Sequence, residues 1–182
     1  MFVMHSKSIS RIITLLFLSI FIHTGIFAQA DTNSVRPFII SCADSMVKAF
    51  SKGDYATMAG FTNDNLVKMI GGKKAYVAIL EKTMGEGDMA KAEIQEAGIG
   101  KIIKVVKTVN GFQCLVEQRL TIIFEKTKVK SVSALYGYAD NTGKRWKFAD
   151  ISNKDAEMVK MIVPDLDKRL IIPKKVETVE KL

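Results

Sequence analysis

From Ser34 to Thr83 apolar residues recur every three to four positions, and from Ala92 to Ile151 they alternate. The first rhythm lines one face of a helix and the second one face of a strand. Ser34 is placed to cap the first helix, with Pro37 in its opening turn and Phe38, Cys42, Met46, Ala49 and Phe50 as its buried stripe. Gly53 suits the left-handed position that ends this helix, and Asp54 caps a short second one through Met58 and Ala59. Asn63, Asp64 and Asn65 read as a turn. The apolar segment from Leu66 to Ile70 stops at Gly71 and Gly72. Ala75, Tyr76, Ile79, Leu80 and Thr83 then define another amphipathic helix, closed by a loop over 85–88.

Alternation predicts strands at 92–99, 101–109, 112–125, 129–140 and 144–151. Asn110-Gly111 is a two-residue hairpin turn, and Asp140 to Gly143 has turn chemistry as well. The long third strand sets Phe112, Cys114, Val116, Gln118, Leu120, Ile122 and Phe124 on one face. Its other face mixes Glu117, Arg119 and Thr121 with Leu115 and Ile123. This pattern predicts an antiparallel sheet with one face against helices and the other only partly covered. After Ser152 the pattern is helical through Ala156, Val159, Met161 and Ile162, and the charged residues 173–182 read as a frayed tail. The expected fold class is therefore α+β: N-terminal helices packed on a curved antiparallel β-sheet, plus a C-terminal helical extension.

The first 30 residues change the picture. Lys7 and Arg11 precede an apolar run over 12–22, and Ala28-Gln29-Ala30 fits the small-residue rule for cleavage. The run is short for a membrane span, and no later apolar stretch is long enough to be one. A cleaved signal at 1–30 predicts a secreted or periplasmic protein. Ile39-Ile40-Ser41-Cys42 resembles a lipidation box, but Asp31, Asn33 and Arg36 separate it from the apolar run, so no lipidation of Cys42 is expected. The organisation is then a signal over 1–30, a domain over 31–152 and a helix with charged tail over 153–182.

The signal also takes both histidines, His5 and His23. A mature chain without histidine lacks the usual general base at neutral pH and the commonest metal ligand. Its two cysteines, Cys42 and Cys114, cannot build a structural zinc site alone. No metal and no cofactor are expected. Both thiols are expected to face one core, within about 10 Å, either bridged or free. The net charge of +8 over 182 residues stays positive after loss of Lys7 and Arg11. The lysines are dispersed and carry no interleaved aromatic residues, so nucleic acid is not an expected partner.

Three stretches carry a resemblance: Phe50-Ser51-Lys52-Gly53-Asp54-Tyr55 at the end of the first helix, Leu66 to Lys73 leading into the next, and Gly143-Lys144-Arg145-Trp146-Lys147-Phe148 in the last strand. In these the chain resembles the nuclear transport factor 2-like superfamily, the SnoaL/ketosteroid-isomerase-like or cystatin-like α+β cone, across Pro37 to Ser152. The resemblance implies a sheet wrapped on the long helix with an apolar pocket at its open end. The superfamily includes isomerases, dehydratases and binding or dimerisation modules, so the fold alone selects no activity.

The pocket candidates are Gln118, Tyr136, Tyr138, Trp146, Phe148 and Asp150. Gln118, polar in an apolar face, either orients a ligand or bonds backbone at a bulge. Asp150, or Glu96, with Tyr136 or Tyr138 would supply the carboxylate and phenol of a lyase or isomerase. Against this, tyrosines commonly bury the ring and leave the hydroxyl at the edge, and Asp150 ends a strand. The residues therefore favour a non-catalytic domain that binds a small apolar ligand or an envelope protein, with a homodimer through the sheet face compatible with either reading.

Overall fold

Sixteen residues after Val35 wind into α1 (Arg36–Ser51), with Pro37 in its first turn. A computed structural model describes residues 32–182; the signal expected over 1–30 and its cleavage site lie outside the described residues. α2 (Tyr55–Phe61) follows, capped by Asp54, whose carboxylate accepts the Thr57 N–H at 3.0 Å. Asn63 to Asn65 is not a free turn but the start of α3 (Asp64–Met69), where the Asn63 side chain accepts the Leu66 N–H. Gly71 and Gly72, at φ 99° and 95°, break the chain before α4 (Lys73–Gly85). A 3-10 turn over Gly87–Lys91 leads into the sheet.

Four antiparallel strands run in sequence order, β1 (Glu93–Thr108), β2 (Gly111–Phe124), β3 (Thr127–Ala139) and β4 (Trp146–Asp150). The two strands expected over 92–109 are one. Register shifts on either side of Ile102 absorb the break in alternation around Gly100. A Cβ there would stand 2.4 Å from the Glu117 carboxylate, so any side chain at this position would displace that group. The chain then forms α5 (Ala156–Ile162), an irregular segment and β5 (Val176–Lys181), which pairs with β3. The five-stranded sheet does not close on itself. The architecture is α+β, as expected. The extension is helical only over α5, and the residues expected to fray form a sheet strand. No helix among the described residues is long and apolar enough to cross a membrane.

Two cores sandwich the sheet. On one face α1 packs Val35, Ile39, Ala43 and Met46 against Phe112, Cys114, Val116, Leu135, Trp146 and Phe148. Met46 and Ala49 are buried as expected, but Ile39, Ala43 and Val47 complete the buried face, and Phe38 is 40% exposed. Ile39, Ala43, Met46 and Val47 also keep helical spacing, and apolar residues on both sides of the stripe hide its phase. On the other face Ile162, Val163 and Leu170 bury Val106, Leu115, Tyr136, Ala149 and Ile151. That face is therefore partly covered, as expected: closed at its centre and open where Arg119 pairs with Val132, which is 40% exposed. Buried Gln113 fastens the cover: its amide donates to the Asp165 carbonyl and accepts from the Asp167 N–H, both at 2.9 Å. Arg169 adds a bond to the Lys107 carbonyl at 2.8 Å, and Asn65 one to the Ile162 carbonyl at 3.0 Å.

Candidate functional site

A cleft of about 510 Å³ lies where α1, α2 and α3 meet the paired ends of β3 and β4. Thr62 and Asn63 place α3 there. Thr62 bridges Phe148, and the Asn63 N–H donates to the Phe148 carbonyl at 2.7 Å, closing the outer edge of β4. Asp64, in the first turn of α3, thereby faces Tyr138 and Lys147, which are cross-strand partners. The Tyr138 hydroxyl donates to Asp64 Oδ2 at 2.8 Å, and Lys147 Nζ to Asp64 Oδ1 at 2.5 Å. Phe61, Cys42, Ala139 and Trp146 supply the apolar lining, with Arg145 and Asp140 at the mouth. Trp146 is fixed by its indole N–H, which donates to the Gly143 carbonyl at 2.8 Å.

The polar trio is internally satisfied. Partial burial pushes the Asp64 carboxyl up, but the bonds from Lys147 and Tyr138 outweigh it and hold the group below the usual carboxylate value. Burial, then the bond to Asp64, push the Tyr138 phenol up to about 12. Asp140 is held low by the Thr142 side chain and backbone N–H. At neutral pH the cleft thus presents fixed carboxylates, two cations and a protonated phenol. A carboxylate held this low is a weak general base.

Of the six residues singled out from the sequence, Tyr138 and Trp146 line this cleft. The β3–β4 register sets Tyr136 opposite Ala149 and Tyr138 opposite Lys147, so the tyrosines lie on the face away from Trp146 and Phe148. Tyr136 is buried beneath the C-terminal cover, and burial, then Asp165, push its phenol up. Phe148 belongs to the α1 core. Asp150 is exposed and caps its own turn, accepting the Ser152 N–H at 3.0 Å. An Asp150–Tyr136 pair is therefore not assembled. Gln118 is half-buried and accepts from the Ser133 hydroxyl at 3.5 Å, and Glu96 accepts from the Thr121 hydroxyl at 3.4 Å.

Asp64, Lys147, Arg145, Phe61 and Cys42 were not among the candidates. Their convergence depends on contacts between residues some 80 positions apart, as in the 83-residue separation of Asp64 and Lys147. The local signal was an acid in the first turn of a capped helix. Both cysteines are free thiols. They adjoin the same core, with Cys114 fully buried and Cys42 at the cleft. Among the described residues no three carboxylate or cysteine side chains converge as a metal site would require, and no buried polar side-chain atom lacks a partner. Comparison with known protein families, curated proteins and solved structures finds no match to this chain.

Proposed function

We propose that the chain is an exported binding domain of the nuclear transport factor 2-like type, with the signal over 1–30 removed and Cys42 not lipidated. Its role is to hold a small, largely apolar ligand, or an apolar side chain of an envelope protein, in the cleft between α1–α3 and the β3–β4 ends. The observation that carries this reading is the cleft itself. Its volume of about 510 Å³ falls within the roughly 300–1,000 Å³ typical of small-molecule sites. Phe61, Cys42, Ala139 and Trp146 give it an apolar wall, and on its charged side Asp64, Lys147 and Tyr138 are fixed by one another, which orients a ligand without requiring that part of the site to reorganise on binding.

The cone-shaped pocket of the superfamily is the frame of this proposal, with helices first and an antiparallel sheet after them as its support. A lyase or isomerase reading has one specific observation in its favour, the Asp64–Tyr138 hydrogen bond. The pair that such chemistry would use is then Asp64 and Tyr138, not Asp150 and Tyr136. The low carboxyl and the high phenol favour binding over proton transfer.

Trp146 is the chain's sole tryptophan and lines the cleft, so it reports occupancy directly. Titration of the mature protein with 1-anilinonaphthalene-8-sulfonate is expected to quench Trp146 emission saturably. Phe61→Asp, which places a charge on the apolar wall, is expected to weaken binding at least about tenfold. Emission unmoved by the probe, or quenching untouched by Phe61→Asp, would overturn the cleft as the binding site. The export half of the proposal expects Asp31 or Gln29 at the N-terminus of native material. Recovery of Met1 by N-terminal sequencing would refute it.

A further inference from the structure

All six residues of β5 are exposed, with Val176 at 60% and Val179 at 68%. Its inner edge pairs with β3, and the Leu182 N–H extends the ladder to the Lys126 carbonyl at 2.7 Å. In an antiparallel ladder successive residues turn their N–H and C=O to opposite edges. Leu182 points inward, so Glu180, Thr178 and Val176 do too. Glu177, Val179 and Lys181 therefore turn their backbone groups outward. Among the described residues no strand pairs with that outer edge.

The other edges of the sheet are protected. Thr62 and Asn63 cover β4. The free edge belongs to β1, whose pairing is interrupted by register shifts and whose sequence carries Lys101, Lys104 and Lys107. Bulges and edge lysines are the devices by which sheets prevent further pairing. β5 carries a single lysine, Lys181, and has no proline and no register shift.

We propose that the outer edge of β5 pairs with the same edge of a second copy of the chain, antiparallel and centred on Val179. The side chains fit this register. Val179 meets the partner's Val179, Glu177 meets the partner's Lys181, and Val176 meets the partner's Leu182. The outward backbone groups then pair completely, two bonds at the Val179 pair and two at each Glu177–Lys181 pair. A shift of two residues one way sets Lys175 against the partner's Lys181, and the other way sets Val179 against it. Like charges directly opposite destabilise a sheet, and opposite charges stabilise it. The pairing also continues an existing apolar row. Ile94, Ile122, Val129 and Val179 already stand side by side across four strands on one face of the sheet, and the two-fold axis carries that row into the second copy. A closed isologous pair of this kind needs no other partner.

Sedimentation equilibrium of the mature chain tests the pairing and its register. The wild-type chain is expected to be dimeric at about 100 µM, a concentration that populates even weak specific contacts. Lys181→Glu sets Glu177 against a glutamate, and Glu177→Lys sets a lysine against Lys181. Each variant alone is expected to dimerise roughly tenfold more weakly, and an equimolar mixture is expected to recover the dimer, because each copy then complements the other. Val179→Cys is expected to form a symmetric disulfide on oxidation, since hydrogen-bonded partners lie about 5.5 Å apart at Cα, within disulfide range. A monomeric wild type, a dimer indifferent to Lys181→Glu, or a mixture no tighter than its components would overturn the proposal, as would failure of Val179→Cys to cross-link.

Discussion

A chain ended after Ser152 will not reach the native fold. The alternating pattern stops near that point, so residues 31–152 look self-sufficient in sequence. In the structure they are not. Leu115, Tyr136 and Ile151 are at most 1% exposed, and what covers them is Ile162, Val163 and Leu170. Ending the chain early would bare the centre of one face of the sheet and remove the partners of Gln113, itself 3% exposed, at Asp165 and Asp167. Each large apolar group lost from a core costs about 2–5 kcal/mol. Together these exceed much of the roughly 5–15 kcal/mol that a domain has in total. Urea unfolding followed by circular dichroism should show no cooperative transition for the shortened chain. The graded version is Ile162→Ala in the full chain, which should cost about 2–5 kcal/mol with the slope of the transition preserved. A shortened chain with the wild-type midpoint would show that the cover is an accessory.

The difference between sequence and structure here has a physical pattern. Most elements set by local chemistry were legible: the Asp54 cap, the left-handed Gly53 and the turn ending at Gly143 all act within a few residues, and the hairpin was found one residue out, its turn being Val109 and Asn110 with Thr108 paired to Gly111, while the N-cap of α1 is Val35 and not Ser34. Features set by pairing at a distance were not. β5 reads as a charged tail because no residue in it is buried, and only its match to residues 127–132 makes it a strand. The candidate site divided along the same line. Period two correctly grouped Tyr136 with Tyr138, and Trp146 with Phe148. Which group faces α1 depends on the β3–β4 register, and a one-residue difference in that register exchanges the faces. Asp64 and Lys147 meet only because the chain crosses the β4 edge at Thr62 and Asn63, a route that no hydrophobic period encodes.

Replacing Gly137 with alanine should be strongly destabilising, although alanine is ordinarily preferred over glycine in a strand by roughly 0.5–1 kcal/mol. Gly137 sits mid-strand in β3, opposite Cys114 on one side and Phe148 on the other. A Cβ there would stand 2.7 Å from the Phe148 ring and 2.8 Å from the Cys114 sulfur. Neither neighbour has room to retreat, since Phe148 is 1% and Cys114 0% exposed beneath α1. Overpacking of this kind typically costs about 1–3 kcal/mol, which reverses the sign expected from propensity alone. The cause is separable from any general sensitivity of the strand. Phe148→Leu removes Cε1, the nearer of the two colliding ring atoms, at the expense of a cavity, so Gly137→Ala added to Phe148→Leu should cost less than the two single changes summed. Denaturant midpoints for the four proteins of this cycle measure that coupling. Strict additivity would mean that Gly137 is needed for something other than the space it leaves for the ring.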